Sequence, residues 1–245
     1  MNFKTRTIVY RHKLSELEQE ISEYILAHRA EVVELKMTAL AQTFFTVPNT
    51  ISRLCTKVGY TGFLDLKKAL REELLPRKRA DNSQKDILLR NFAMIDAEKE
   101  REIAVVFEKA DKVNVFAVGS TAWAARIIVD TFNSIDYKFI FYEYEHEVRQ
   151  KIRTAKNEAF FFISLSGDKE PFLSLAKEAR ESGQSVLSLT MLSENPLSKL
   201  SNHSLFCYSP ERRLNGSNIQ DKTPLLVIAE SLFEAYKKRR PDFSE

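Results

Sequence analysis

Two short segments of the sequence combine a glycine with hydroxyl side chains, which is the composition of many loops that bind phosphate groups. A glycine lets the backbone approach a ligand closely, and hydroxyl groups donate hydrogen bonds to phosphate oxygens. Hydroxyl side chains that only cap helices would have the same composition, so either segment alone leaves both interpretations open. The residues that we predict to contact an anionic ligand are Gly119, Ser120, Thr121, Ser164, Ser166, Gly167 and Lys169.

A second candidate site is one face of a helix that we predict to begin at Pro48, in the first-turn position that proline favours. Apolar residues from Ile51 to Val58 recur at intervals of three and four and form one stripe. The opposite face carries amide, hydroxyl and cationic groups and no carboxylate, a composition that suits base edges and phosphates in a DNA major groove. The predicted DNA contacts are Asn49, Thr50, Ser52, Arg53 and Lys57.

These contacts need an all-α N-terminal domain to position them. Apolar periodicity predicts helices near residues 14–28, 38–44, 48–58 and 63–74. Gly59 stands where the end of a helix needs a left-handed residue, and Gly62 fits a second tight turn. The helix pair around residue 46 therefore indicates a helix-turn-helix, although a short helix pair in any helical core would give the same pattern.

From residue 113 onward, short apolar and aromatic runs alternate with helical segments. The runs lie at 113–118, 139–144, 160–165, 186–190 and 205–208. This alternation predicts an α/β domain of Rossmann-like type, with a parallel five-stranded sheet flanked by helices. Ligands of such sheets bind outside the carboxyl ends of the strands, where both hydroxyl loops are expected.

Charge and punctuation divide the chain into parts. Residues 1–79 hold 14 Lys and Arg against 9 Asp and Glu, whereas the remainder holds 23 against 25. A basic part joined to a near-neutral part indicates one module that binds a polyanion, although an ordinary basic surface is the alternative. Pro76 and the polar run at 77–83 predict a linker. We therefore expect a helix-turn-helix domain over 1–79, a linker and connecting helices over 80–110, and the α/β domain over 111–240.

Several classes of protein are disfavoured by the composition of the 245 residues. Only six are glycine, and no G-x-x-x-x-G-K-[ST] sequence occurs, so no P-loop is indicated. Cys55 and Cys207 lie in no zinc-binding pattern and favour a reducing compartment. The first ten residues lack the apolar core of a signal peptide, and no apolar run is long enough to span a bilayer. We expect a cytoplasmic protein with no metal, no cofactor and no membrane partner.

A more specific indication comes from the Thr50-x-x-Arg53 spacing, the turn from Gly59 to Phe63 and the basic helix that follows. Together they resemble the N-terminal domain of the RpiR/MurR family of bacterial transcriptional regulators. The resemblance implies that Asn49, Thr50, Arg53 and Lys57 contact operator DNA. Val47 occupies the position where the family usually has a capping serine. Valine cannot accept the free helix N–H bonds, a loss of roughly 1 kcal/mol unless Thr46 replaces the cap.

The two hydroxyl loops and their spacing resemble the SIS (sugar isomerase) domain, a phosphosugar-binding module that usually accompanies this DNA-binding domain. Lys169 departs from the threonine that the family has there, and Asn195 from its serine. The resemblance implies a phosphorylated sugar effector held mainly by Ser120, Thr121, Ser164 and Ser166. The positions that match the two loops of the family are Ala117, Gly119, Thr121, Ser164, Ser166, Gly167 and Asp168.

Two other functions stay open on the sequence alone. A sugar-phosphate isomerase needs a base, and Glu143, Glu145, His146 and His203 are available, but no pattern fixes any of them near the loops. A dinucleotide-sensing repressor would have the first loop as an incomplete G-x-G-x-x-G.

The favoured interpretation is a regulator of sugar metabolism without enzymatic activity. We expect it to form a homodimer or homotetramer, to bind double-stranded operator DNA and to respond to a phosphorylated sugar effector.

Overall fold

A computed structural model describes residues 1–74 and 83–240 of the chain. The chain divides into two compact units, Met1–Asp81 and Asn82–Glu245, and each is described by itself. The linker predicted at 77–83 lies outside the described residues except for Ser83, whose hydroxyl accepts from the Asp86 N–H at 3.2 Å. No helix in the described ranges is long and apolar enough to cross a membrane.

The first unit is helical throughout its described residues. Its elements are α1 (Phe3–Val9), a 3-10 turn (Arg11–Lys13), α2 (Glu16–Ala27), α3 (Arg29–Val32), α4 (Met37–Thr43), α5 (Pro48–Lys57) and α6 (Phe63–Leu74). The apolar stripe of α5 is buried as predicted, and Ile51 and Leu54 pack in one core with Leu40 of α4 and Leu66 of α6. Helices α1 and α3 were not predicted. Helix α3 has too few residues to show apolar periodicity, and the apolar residues of α1, Phe3, Ile8 and Val9, do not recur at intervals of three and four.

The second unit begins with two helices and continues as an alternation of strands and helices. Its elements are α7 (Gln84–Phe92), α8 (Ala97–Lys109), β1 (Val113–Phe116), α9 (Ser120–Asn133), β2 (Phe139–Tyr142), α10 (Glu145–Thr154), β3 (Ala159–Ser164), α11 (Glu170–Glu181), β4 (Ser185–Met191), α12 (Pro196–Leu200), β5 (His203–Cys207), β6 (Arg213–Leu214), β7 (Ser217–Asn218) and α13 (Thr223–Lys237).

The five long strands form one parallel sheet in the order β2-β1-β3-β4-β5. Side chains of α8, α9 and α13 bury one face in a core that contains Phe107, Phe132 and Tyr236. Side chains of α10, α11 and α12 bury the other face around Phe162 and Phe172. Both faces are covered, which explains why the residues of the central strands are almost all buried. The predicted fold class is confirmed.

A short hairpin, not predicted from the sequence, contains Gly216. Strands β6 and β7 pair antiparallel, and the two residues between them, Asn215 and Gly216, have φ angles of 48° and 78°. Two consecutive positive φ angles are the requirement of a type I′ hairpin turn, and Asn-Gly is the preferred pair for it.

Candidate functional site

The polar face of α5 is available to a ligand at its most exposed positions. Asn49 and Arg53 are exposed, while Thr50 and Ser52 are half-buried. The side chains of Asn49 and Arg53 make no hydrogen bond or ion pair within the described residues. The geometry therefore leaves an amide and a guanidinium group one turn apart with their hydrogen-bonding groups directed to solvent.

The start of α5 lacks a side-chain cap, as the valine at position 47 predicts. Val47 precedes the helix and makes no capping hydrogen bond. Thr46 does not replace it, because its hydroxyl donates to the Thr50 hydroxyl at 2.9 Å instead of accepting from a backbone N–H. The first turn keeps a free N–H group, which at a helix N-terminus is a favourable donor to a phosphate oxygen.

Lys57, one of the predicted DNA contacts, forms an ion pair within its own domain. Its ammonium nitrogen Nζ lies 2.6 Å from Oε2 of Glu18, a carboxylate that is only 3% exposed. Burial raises the pKa of Glu18, but hydrogen bonds from Lys57 and from the Ser15 N–H outweigh it and leave that pKa below its usual value. The ion pair of Lys57 therefore joins α5 to α2. A helical wheel places Lys57 on the outward face of α5 but cannot show a partner on another helix.

The carboxyl end of α5 is capped by a residue from α1. The Arg6 guanidinium donates to the carbonyl oxygens of Val58, at 3.1 Å, and of Gly59, and it lies 4.3 Å from the centre of the Tyr60 ring. Gly59 has a φ of 81°, and a Cβ there would lie 2.6 Å from Arg6 Nη1. The predicted need for glycine after α5 is thus met by both backbone angle and space.

In the second unit, the two hydroxyl loops lie side by side because β1 and β3 are neighbours. Phe116, at the end of β1, is in register with Phe162, close to the end of β3. The chain leaves β1 toward α9 on one face of the sheet and leaves β3 toward α11 on the other. This is a topological switch point, where the diverging loops form the crevice in which α/β proteins bind ligands.

The first loop presents unengaged hydroxyl groups at the start of α9. Gly119 precedes the helix with φ 61° and ψ −143°, a conformation that glycine alone adopts readily, and gives no side-chain cap. Ser120 is exposed and Thr121 half-buried, and neither hydroxyl forms a hydrogen bond within the described ranges. The loop therefore offers two hydroxyl groups and free N–H groups together.

The second loop contains a hydroxyl that is buried and unsatisfied. The Oγ atom of Ser166 is shielded from solvent and has no hydrogen-bond partner among the described residues. Ser164 also shapes the loop, because its Oγ accepts from the Gly167 N–H at 3.3 Å, which leaves its O–H proton for the predicted ligand. Lys169 is exposed, precedes α11 and forms no ion pair in the described part of the chain. The loop thus has a polar group that lacks a partner and a cation nearby along the chain.

The side chain of Asn195 packs against this loop and is fixed there by hydrogen bonds, a role that the sequence did not predict. Its Nδ2 donates to the Thr190 hydroxyl at 3.0 Å, and its Oδ1 accepts from the Ser198 N–H at 2.9 Å. A Cβ on Gly167, where φ is 66°, would lie 2.3 Å from Asn195 Oδ1. The asparagine at 195, where the family usually has serine, was the available sequence signal for this contact, because its longer side chain requires a neighbouring residue that has no side chain.

The residues considered as isomerase bases are placed or engaged unfavourably for that role. His203 begins β5, an edge strand, so it lies at the amino end of the parallel sheet, whereas the hydroxyl loops follow the carboxyl ends of β1 and β3. Its Nδ1 lies 3.4 Å from Glu102. Glu143 pairs with Arg126 at 2.8 Å, and Glu145 pairs with a neighbouring arginine on α10 at 2.9 Å. His146 has its ring beside that of Tyr144. Among the described residues, no group of His, Cys, Asp and Glu could hold a metal ion.

Comparison with known sequence families separates the two units in the same way. Residues 1–77 match the helix-turn-helix domain of the rpiR family, and residues 106–233 match the SIS domain.

Two curated relatives match most of the chain. An uncharacterised HTH-type transcriptional regulator of Caldanaerobacter subterraneus subsp. tengcongensis is 25% identical over 235 residues, which cover 88% of this chain and 83% of the relative. The HTH-type transcriptional regulator GlvR of Bacillus subtilis is 26% identical, with 91% of each chain covered.

Solved structures agree with these relatives. The Vibrio vulnificus NanR protein complexed with ManNAc-6P is 26% identical with a TM-score of 0.60, and the match covers 99% of this chain and 94% of that one. The sugar isomerase domain of an RpiR transcription factor from Sphaerobacter thermophilus is 17% identical with a TM-score of 0.58, covering 64% of this chain and 87% of that one. The second likeness concerns the fold alone.

Proposed function

Because the chain belongs to the family of transcriptional regulators that join an rpiR-type helix-turn-helix domain to a SIS domain, we propose that it binds operator DNA under control of a phosphorylated sugar. The DNA is double-stranded, and the regulator acts as a homodimer or homotetramer in the cytoplasm. It has no catalytic role and needs no cofactor.

The proposed DNA interface is the exposed face of α5. Its support is the pair Asn49 and Arg53, whose amide and guanidinium groups suit adenine and guanine edges and have no protein partner among the described residues. Thr50 and Ser52 flank them with hydroxyl groups that suit phosphate or base contacts. Lys57 contributes by holding α5 against Glu18.

The proposed effector site is the crevice between the loops after β1 and β3. The observation that carries it is the buried, unsatisfied hydroxyl of Ser166 at a topological switch point. A phosphate group there would accept hydrogen bonds from Ser120, Thr121 and Ser166, with Lys169 as a point charge and the positive ends of α9 and α11 directed toward it. The NanR structure, complexed with ManNAc-6P, supports a phosphorylated sugar as the ligand class.

Control of DNA binding requires the effector to bind two arrangements of the regulator with different affinity. An effector that favours the arrangement with poorer operator binding lowers operator affinity, and operator DNA then lowers effector affinity by the same factor. Closure of the two loops around the phosphate supplies the differential contact. Sugar-phosphate isomerisation receives no support from the candidate bases, each of which is paired, stacked or remote from the crevice.

The test of the DNA interface is an electrophoretic mobility experiment with a duplex selected by the wild-type protein from a random pool. Arg53→Ala should weaken binding by about 1–3 kcal/mol, the value of one good bidentate base contact. Lys4→Ala removes another exposed cation of the same unit and serves as the matched control. Undiminished binding by Arg53→Ala would refute the assignment of α5.

The test of the effector site is thermal unfolding with ManNAc-6P and with inorganic phosphate as separate probes. A bound ligand at 100 times its Kd adds about 2.7 kcal/mol to the stability of the wild-type protein. Ser166→Ala should lose most of this gain, whereas Ser134→Ala, at an exposed serine of the same unit, should retain it. An equal gain in both variants would place the phosphate elsewhere.

A further inference from the structure

The turn between α4 and α5 exposes two apolar side chains next to the face that we propose for DNA. Phe45 is 100% exposed and Val47 is 61% exposed. Val47 is the residue directly before α5, and Phe45 lies two positions earlier. Neither residue belongs to the hydrophobic core of the first unit, so packing in that core does not explain why apolar residues occupy these two positions.

Phe45 is also held in an unfavourable backbone conformation. Its φ is 49°, in the left-handed region, where a residue with a Cβ costs about 1–2 kcal/mol. Glycine avoids this cost and is frequent in the turn of helix-turn-helix motifs. The chain therefore keeps a phenylalanine at a position where stability favours glycine and where its ring contacts only solvent. An exposed aromatic ring on a strained backbone, beside a second exposed apolar residue, is the basis for a hypothesis of a contact made in a complex.

We propose that Phe45 and Val47 contact the C5-methyl group of a thymine at the edge of the operator half-site. The thymine methyl is the apolar group of the major groove, and small aliphatic and phenylalanine side chains recognise it by direct contact. The turn is continuous with the start of α5, so a duplex that reaches Asn49 and Arg53 lies beside it.

The charge of the surroundings selects DNA as the occupant of this surface. Among the described residues from 36 to 74, six are Lys or Arg and three are Asp or Glu, an excess that attracts a polyanion. The proposal rests on the DNA-binding function proposed above and adds to it a specificity for thymine at one position.

The test uses Phe45→Gly, which removes the ring and relieves the backbone. This variant should unfold at a higher temperature than the wild type, because glycine accepts the positive φ without cost. It should nevertheless bind the selected duplex about fivefold more weakly, as expected for the loss of one or two methyl-sized apolar contacts. Higher stability with lower affinity distinguishes a DNA contact from a structural role. Tyr137→Ala, which removes a 95% exposed aromatic ring from the second unit, is the control and should leave affinity unchanged.

The methyl group itself is tested by replacing each thymine of the selected duplex with deoxyuridine. At one position the replacement should weaken wild-type binding by about the same fivefold and should weaken the binding of Phe45→Gly by a smaller factor, because only Val47 then remains to contact the methyl group. If thymine replacement weakened the binding of the wild type and of Phe45→Gly by the same factor at every position, the proposal would be overturned. Unchanged affinity of Phe45→Gly for the selected duplex would also overturn the proposal, even if light scattering showed that the variant has an altered oligomeric state. If Phe45→Gly and Arg53→Ala both bind the duplex normally, the proposed DNA interface as a whole is wrong. If Arg53→Ala binds more weakly while Phe45→Gly binds normally, only the methyl contact is refuted.

Discussion

Arg6, near the N-terminus, donates a hydrogen bond to the carbonyl oxygen of Val58 at the carboxyl end of α5, at 3.1 Å and across 52 positions of sequence. A cation at this end of a helix satisfies free carbonyl groups and opposes the negative end of the helix dipole. The helix proposed to enter DNA is therefore fixed at its far end by a residue that does not belong to the helix-turn-helix itself.

Arg6→Met is expected to lower the free energy of unfolding by about 1.5–3 kcal/mol, the usual value of a hydrogen bond made by a charged group. Operator affinity should fall as well, since α5 loses its anchor. Urea unfolding and fluorescence anisotropy measure the two effects, with Lys4→Ala as the exposed control on α1. Full stability in Arg6→Met would show that water replaces the cap.

Lys57→Met is expected to destabilise the first unit by about 2 kcal/mol, because it leaves the buried carboxylate of Glu18 without its cation. The salt dependence of DNA binding should keep its slope, whereas a lysine that contacts a phosphate would reduce the slope of log K against log salt by about 1. Glu18→Gln in the Lys57→Met background should recover part of the stability. A reduced slope in Lys57→Met would instead support the predicted DNA contact of Lys57.

Glu100 on α8 makes stability depend on pH near neutrality. Burial, together with the negative charge of Asp96, raises the pKa of Glu100 to about 7 against the partial compensation of the Ser231 hydroxyl and Lys238. In the unfolded chain the pKa is near 4.5, so the folded state retains a proton that the unfolded state has released. The favourable contribution of the protonated acid is thus complete below 4.5 and is lost as the pH rises through about 7.

Glu100→Gln should therefore be more stable than the wild type above pH 7 and similar to it below 4.5. Urea unfolding across this range measures the difference. The isosteric amide keeps an oxygen for the Ser231 hydroxyl, which donates to Glu100 Oε2 at 2.9 Å. Parallel pH profiles of the two proteins would contradict the raised pKa.

Gly167→Ala should destabilise the second unit more than Gly183→Ala does. Both glycines have positive φ angles, and this alone costs about 1–2 kcal/mol when a Cβ is added. A Cβ at Gly183 meets open space, whereas at Gly167 it would overlap Asn195 Oδ1. Thermal unfolding of the two variants measures the difference. In the Gly167→Ala background, Asn195→Ala should cost less than it does alone, and strict additivity would argue against the close approach.

The fold was predictable to the extent that it depends on long, regular patterns. The stripe of α5 and the apolar runs of the sheet strands extend over enough residues to show their periods, and Gly59 and Gly119 mark turns that follow. Helix α3, with four residues, has too few positions to show a period. The Asn215-Gly216 pair was a signal for a hairpin, but the flanking strands of two residues were too short to confirm it.

The sites were predictable in residue type but less so in role. Positions on one face or in one loop follow from local spacing, which is why Asn49 and Arg53 are found exposed and the two hydroxyl loops are adjacent. Partners distant in sequence leave no such pattern. Lys57 and Glu18 are 39 positions apart, and the contact of Asn195 with Gly167 depends on the packing of α12 against the loop.

Because α9 and α11 pack on opposite faces of the sheet, a ligand in the crevice between their first turns would connect the two helix layers. The two helices belong to layers that pack on different faces of the sheet and share no core. An anion held at the start of both helices would cross-link the layers through a single group, and would slow amide hydrogen exchange on the two faces together. If the proposed effector binds there, its binding would be felt as a change in rigidity of the whole domain.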